Sequence, residues 1–323
     1  MDTSRTVVPL GALLITALTG VVHAQSFPAK PIRVLIPFPA GASLDLSARI
    51  IGQKLSENIN QPVIIENRAG GNTIVAAEAV ARAPADGYTL LQTLDTTFTL
   101  VPAAYKKIPY DPIKDFAPVS QSSRASYLIA GSTKAPYKTL TELVGYARTN
   151  PGKINIGAST SLTQILSLLL KNSNKIDITY VPYKGSPPMI QALASGEVDL
   201  IIDAIPLYIP GMKAGKTTAL ATTGSTRSQQ LPDVPTTREL GFAQLEANTW
   251  TGYFAPAGTP DAVLARLNAE LVRALDSQDT RKRIDDAGLN PLTSSSREEI
   301  ARLVKEGLAH WTPLVRAAGI TLE

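Results

Sequence analysis

Two stretches of this chain share one grammar: Ile36-Pro37-Phe38-Pro39-Ala40-Gly41-Ala42-Ser43 near the start, and Val181-Pro182-Tyr183-Lys184-Gly185-Ser186-Pro187-Pro188 past the middle. Each is an apolar run that stops at proline and an aromatic residue, followed by small residues from which a helix can start. Such a strand-to-helix turn leaves backbone N–H groups beside the positive end of a helix dipole, a seat for a carboxylate or phosphate. Two such turns constrain the chain to alternating strand and helix, and suggest two lobes facing one anion. Every α/β protein repeats strand-turn-helix units for structural reasons alone, so other features have to decide.

Strand and helix signals do alternate. Pro31 to Phe38 reads as a buried strand, and Ser43 to Asn58 as a helix with the apolar face Leu46, Ile50, Ile51 and Leu55. Val63 to Glu66, a helix Ile74 to Arg82 and a strand Tyr88 to Leu94 complete a βαβαβ unit. After Pro109-Tyr110-Asp111-Pro112 and Phe116-Ala117-Pro118, a segment Ser126 to Ala130 begins a second α/β series. Its helices are Leu140 to Thr149, Leu162 to Lys171 and Met189 to Ser195; its strands are Ile154 to Ala158, Ile178 to Val181, Leu200 to Asp203 and Ala219 to Thr222. Helices over Ala262 to Ser277, Asp279 to Gly288 and Arg297 to Ala317 return to the first lobe. The expected fold is therefore α/β and two-lobed, with each lobe a mainly parallel sheet flanked by helices and a ligand cleft between them. Residues 25–125 with 251–323 form lobe 1 and residues 126–250 lobe 2. Two crossings, near residues 120 and 250, are the kind of connection that permits hinge closure.

Residues 1–24 read as a secretory signal: Arg5, an apolar stretch from Val7 to Val22, and Val22-His23-Ala24 before Gln25. Cleavage is expected after Ala24. The apolar part is shorter than the roughly 20 residues that span a bilayer, so a soluble, periplasmic protein is expected. With no cysteine, neither a lipid anchor at the cleavage site nor a disulfide is possible. The 31 basic and 27 acidic residues are interspersed, with no basic run to suggest nucleic acid. A net charge of +4 suits a small anionic ligand better.

Beyond the signal the only histidine is His310, and there is no Gly-x-Ser-x-Gly elbow or metal-ligand spacing. No enzyme activity, catalytic residue, metal or cofactor is therefore expected. A carboxylate pair drawn from Asp45, Asp95 and Asp203 is the remaining catalytic alternative.

In order along the chain, Lys30-Pro31-Ile32-Arg33, Pro37-Phe38, Gly41, Asp45, Ala48-Arg49, Glu66-Asn67-Arg68 and Asp86-Gly87-Tyr88-Thr89-Leu90-Leu91 resemble the Bug-type periplasmic solute-binding proteins of tripartite tricarboxylate transporters. So do Pro109-Tyr110-Asp111-Pro112, Lys114-Asp115-Phe116, Pro151-Gly152-Lys153, Val181-Pro182-Tyr183-Lys184-Gly185, Leu231-Pro232-Asp233-Val234-Pro235-Thr236, Trp250-Thr251-Gly252 and Ala255-Pro256-Ala257-Gly258-Thr259-Pro260. The resemblance implies a monomeric, hinge-closing receptor that holds a small carboxylate and hands it to permease subunits, without chemistry. A receptor reporting to a membrane signalling protein is the alternative that the same fold would serve.

The resemblance also implies a carboxylate seated on backbone N–H groups and waters at the first loop, here Pro39, Ala40, Gly41 and Ser43, with Asp45 in the next turn. Loops matching Thr93 to Thr97, Ser159 to Thr163, Lys184 to Ser186 and Asp203 would finish the pocket. The chain departs from the pattern at Ala42 and Leu44, at Thr73 and Ala76 where glycines are common, at a shortened Ile156-Gly157-Ala158-Ser159-Thr160-Ser161 turn, and at Gln164 where histidine is frequent.

Read from the residues alone, each candidate has a structural alternative. Phe38 can line the cleft or cap the sheet, and Asp45 can hold a bridging water or accept from its own helix. Asp95 can face the cleft or cap a helix. The hydroxyls of Thr93, Thr96, Ser159, Thr160 and Ser161 suit a carboxylate and also ordinary caps. Lys184 can neutralise a ligand or pair within its lobe; Gly185 and Ser186 follow it in the second turn, and Asp203 can accept from a ligand hydroxyl or serve the hinge. The apolar first loop and Phe38 favour a carboxylate with an apolar or aromatic body over a hydroxylated one such as citrate.

Overall fold

The computed structural model describes residues 27–183, 185–289, 292–317 and 321. The signal segment and Lys184 lie outside the described residues. The first strand, β1 (Ile32–Ile36), is an apolar run covered on both faces, as a strand inside a parallel sheet requires. Helix α1 (Ser43–Ile59) buries Leu44, Ala48, Ile51 and Leu55. The apolar stripe thus starts at Leu44 and not at Leu46, which is 41% exposed, while Ile50 is only half-buried. Then come β2 (Val63–Asn67), α2 (Ile74–Ala81), β3 (Thr89–Leu94), the short α3 (Val101–Ala104) and the long β4 (Phe116–Ser132).

Next along the chain are α4 (Leu140–Thr149), β5 (Ile154–Ala158), α5 (Ser161–Asn174), β6 (Ile178–Pro182), α6 (Ser186–Ser195), β7 (Leu200–Ala204), α7 (Ile209–Lys213) and β8 (Thr217–Thr222). The chain ends through β9 (Asn248–Pro256), α8 (Asp261–Asp276), α9 (Gln278–Asp286) and α10 (Arg297–Ala317).

The strands form two lobes joined by one continuous strand. In the first sheet the order is β2-β1-β3-β9-β4, with β1 parallel to both β2 and β3. In the second, β8-β4-β7-β5-β6, with β5 parallel to both β6 and β7. The residues of β4 from Phe116 to Ser126 pair with β9, and those from Tyr127 onward pair with β7 and β8. Each lobe is therefore a three-stranded parallel unit to which β4 and its antiparallel partners are added.

The stretch of β4 before Ser126 does not look like a strand in sequence, because Pro118 cannot donate to a ladder and serines crowd positions 120–123. The ladder accommodates them with register shifts at Pro118/Ser120 and Gln121/Ser123. Apolar side chains fill separate cores: Ile32, Val34, Leu55, Leu90 and Leu271 under α1 and α8, and Ile129, Ile154, Leu166 and Leu200 under α4 and α5. At about 1.5 Å per residue a helix of this length reaches about 30 Å, and α10 serves both lobes. Its Ile300 and Val304 pack with Phe254, whereas Trp311 and Val315 join the core of Ile129 and Leu166.

Candidate functional site

The loops at the carboxyl ends of β1, β2, β3 and β5 converge on one cavity of about 350 Å3. A volume of this order holds a small organic ligand. Its first wall is Pro37, Phe38, Pro39 and Ala69 to Thr73; its second is Ser159, Thr160 and Leu162; Leu94, Thr96, Val101 and Tyr127 lie between. Among these residues none is ionisable at neutral pH. The described residues contain no group of three or more His, Asp or Glu able to hold a metal.

The β1–α1 turn is held open by its own side chains. Gly41 has φ +85°, a left-handed conformation that glycine takes without penalty. Ala42 occupies the N-cap and has no side-chain oxygen, so no side chain caps α1. Asp45, 1% exposed, accepts from the Gly41 amide at 2.8 Å, from Asn67 Nδ2 at 2.9 Å and from Arg49 at 2.9–3.0 Å. Asn67 also donates to the Phe38 carbonyl at 2.9 Å. Burial alone would raise the Asp45 pKa, but Arg49, the Gly41 amide and Asn67 outweigh it and hold the carboxylate below its ordinary value. Asp45 is thus a staple between the first turn and the end of β2.

The turn after β2 is strained. Gly70, Gly71, Asn72 and Thr73 have φ of +137°, +55°, +48° and +81° in succession. Positive φ at a β-branched residue is a genuine outlier, and such strain persists where surrounding structure holds it. Thr73 is held by hydroxyls: Thr97 donates to Thr73 at 2.9 Å and lies 2.6 Å from Thr93, which then donates to Thr97. Having accepted from Thr97, the Thr73 hydroxyl keeps its proton for the cavity it lines; no described acceptor takes it. Thr93, fully buried, stands behind the wall in this relay.

The second wall closes on itself. Thr160 caps α5 by accepting from the Thr163 amide at 3.3 Å, and Thr163 Oγ1 accepts from the amides of Ser159 at 3.2 Å and Thr160 at 3.1 Å. Three amides of the turn are thereby consumed within it.

The structure brings together Phe38, Pro39, Thr96, Ser159 and Thr160 on the cavity, with Ala40 and Gly41 on the adjoining turn. Ser43 lies on a smaller cavity of about 80 Å3 that shares Leu94 with the larger one. Ser161 follows Thr160 as the first residue of α5. Gly185 and Ser186 stand on the other turn and are not among the residues that line this cavity. Asp203 is turned inward, accepting from the Ala204 amide at 2.8 Å, from Tyr208 Oη at 3.1 Å and from Ser186. Burial raises its pKa, against these bonds.

Asp95 lines a separate cavity with Thr99, Trp250 and His310. It accepts from Thr249 at 3.0 Å and from the amides of Thr96 and Trp250, and burial pushes its pKa up to about 7. Ala69 to Thr73 and Tyr127 belong to the cavity although sequence reasoning passed them over as binding residues. Two consecutive glycines followed by Asn and Thr at a strand end were the available signal for the former. Tyr127 is buried on β4, hydrogen-bonded to Thr249, and carried no local signal.

Comparison with known proteins adds a family. A model described as the tripartite tricarboxylate transporter family receptor matches residues 47–320. Protein BugT of Bordetella pertussis is 30% identical over 331 residues, covering 100% of both chains. Among solved structures, R. palustris Rpa4515 with adipate is 33% identical with a TM-score of 0.79, covering 91% of this chain and 99% of that one. MatC from Rhodopseudomonas palustris with bound malate is 34% identical with a TM-score of 0.76, covering 90% and 100%.

Proposed function

The chain belongs to the tripartite tricarboxylate transporter receptor family, and from that premise we propose that it captures a small carboxylate in the 350 Å3 cavity and delivers it to a tripartite-type membrane permease. Members of this family are periplasmic solute receptors and not enzymes. Among the described residues no helix is long and apolar enough to cross a membrane. Export on a signal segment, residues 1–24, that is then removed belongs to the same reading. The two similar solved structures hold adipate and malate, both dicarboxylates.

The observation that carries the reading is the first wall. The strained Thr73 on that wall has a spare hydroxyl proton, and the uncapped start of α1, Ser43 and Leu44, lines the smaller cavity that adjoins it through Leu94. Neutral donors of this kind hold a carboxylate without a counter-ion, by the helix dipole and by hydrogen bonds. The apolar share of the lining, Phe38, Leu94, Val101 and Leu162, favours an apolar or aromatic ligand body over a hydroxylated one. The passage of β4 between the sheets supports closure of the lobes, residues 25–125 with 251–323 and residues 126–250, over the ligand.

A thermal-shift screen of the mature protein against mono-, di- and tricarboxylates and aromatic acids tests this. Ligand at about 100 times its dissociation constant stabilises by about 2.7 kcal/mol, a rise of several degrees for a chain of this size. A shift confined to carboxylates is expected. Shifts with sugars or amines and none with any carboxylate would overturn the reading.

A further inference from the structure

We propose that Tyr127 is the residue through which the ligand bears on the hinge: its ring meets the ligand, its backbone belongs to the second lobe, and its hydroxyl is tied to the first. This deepens the reading above and rests on the cavity being the ligand site.

Tyr127 stands where β4 changes sheets. Ser126 is the last residue of β4 paired with β9, opposite Asn248, and Tyr127 is the first paired with β7, opposite Ala204. Its backbone is fastened to the turn after β8. The Tyr127 amide donates to Thr223 Oγ1 at 2.9 Å, and the Thr223 amide donates to the Tyr127 carbonyl at 2.9 Å.

The side chain runs the other way. Tyr127 is hydrogen-bonded to Thr249 on β9, a strand of the first sheet, and Thr249 to Asp95, which follows β3. Thr249 has one hydroxyl proton and donates it to Asp95 at 3.0 Å, so Tyr127 is the donor to Thr249. All three side chains are buried. With its proton spent inward, Tyr127 presents the cavity with its ring and not with a hydroxyl. Asp95 only fixes the direction of the Thr249 proton, and Asp95→Asn keeps an oxygen to accept it.

Because the two ends of the Tyr127–Thr249 bond belong to different sheets, it can be made over only a narrow range of lobe positions. In that arrangement the ring lies on the cavity with Leu94 and Thr96 of the first lobe and Ser159 and Leu162 of the second. A ligand resting on the ring therefore binds where the bond is made. The bond in turn raises the population of that arrangement in the free protein, and apparent affinity scales with that population.

Tyr127→Phe keeps the ring and removes the tie; Thr249→Val removes its other end, and Thr249→Ser keeps it. The chain has no cysteine, so spin labels on Ala265→Cys in α8 and Thr141→Cys in α4, both exposed positions, report the distance between lobes. Affinity is read by titration calorimetry with whichever of succinate, adipate, malate, citrate and benzoate raises the wild-type melting midpoint most. Tyr127→Phe and Thr249→Val are each expected to bind it about 5–10-fold more weakly, the value of one net hydrogen bond. The double variant should bind no more weakly than either single one, and Thr249→Ser should match the wild type. Without ligand, both single variants should show the same change in interlobe distances relative to the wild type.

Additive losses of affinity, or interlobe distances in the free variants identical to those of the wild type, would overturn the inference while leaving the carboxylate reading intact. Ligands found only outside the carboxylates would overturn that reading, and the distances in the free variants would still decide the tie. Should Thr249→Val not fold, Tyr127→Phe decides by affinity and distance together.

Discussion

The β1–α1 turn and the β5–α5 turn are built from similar local material and end in opposite states. Both follow a buried parallel strand and both open a helix; Ser159, Thr160 and Leu162 line the larger cavity, whereas Ser43 and Leu44 line the smaller one that adjoins it. In the first, Ala42 stands at the N-cap, the Gly41 and Ala42 amides go to Asp45 and the Pro39 carbonyl, and the opening amides of α1 have no side-chain acceptor. In the second, Thr160 and Thr163 satisfy one another and the turn's amides. A helix start keeps its N3 amide free when its cap residue cannot accept, and spends it when it can.

The largest way to break this contrast is to remove the staple. Asp45→Ala strands the Gly41 amide, Asn67 and Arg49, and should destabilise the protein by about 2–3 kcal/mol. Carboxylate affinity should fall at least about 30-fold. Urea unfolding and titration calorimetry check both, and a stable variant with unchanged affinity would show that the first turn holds its shape without Asp45.

A sharper test separates the two turns whose sequences look alike. Gly41 and Gly185 have φ of +85° and +98°, and an added Cβ would meet no atom within 4 Å at the first and only Pro187, at 3.8 Å, at the second. Alanine at either should cost about 1 kcal/mol of stability through backbone strain alone. Only Gly41→Ala should also weaken carboxylate binding, by about 10-fold. Equal losses of affinity in both would return the second turn to the site.

The likeness of the two turns has a limit. The phrase that contains Ser186 has the grammar of the first turn, but Ser186 is engaged with Asp203, and neither Gly185 nor Ser186 is among the residues that line the larger cavity. Which loops meet at a cavity is a long-range property that local residue types do not carry. Elements with strong local periodicity were legible to the residue: Leu140–Thr149, Ile154–Ala158 and Arg297–Ala317. Asn248–Pro256 was not read as a strand, since it is buried along nearly its whole length and shows no alternation. In the site, Phe38, Pro39, Thr96, Ser159 and Thr160 could be placed because they follow strands. Thr73 could be flagged as unusual, but the positive φ that makes it so is visible only in the folded chain.

Thr73 gives the next smaller effect. Thr73→Ala deletes the hydroxyl that faces the cavity and should weaken carboxylate binding by about 5–10-fold, the value of one net hydrogen bond. Thr73→Ser keeps the hydroxyl without the β-branch and should bind as wild type. If Thr73→Ala binds as tightly as the wild type, the spare proton is not used.

Asp95 should matter least for affinity, because it lines a separate cavity, yet it should shape stability against pH. Its pKa is raised from 3.8 to about 7 by burial. Below 3.8 both folded and unfolded chains hold the proton; between 3.8 and about 7 only the folded chain does. Its stabilising contribution is therefore complete at low pH and is lost as pH rises through about 7. Asp95→Asn should flatten that fall in urea midpoints taken between about pH 5 and about pH 8, with ligand affinity unchanged. An identical pH profile in the variant would assign the dependence to other groups, Asp203 first.

Amide hydrogen exchange with and without a saturating carboxylate tests the contrast between the turns most directly. The account predicts protection concentrated in residues 39–46 and 70–75, with the amides of Ser159 and Thr160 already slow in the free protein and little changed on binding. Protection centred on residues 185–192, with none at the start of α1, would contradict it.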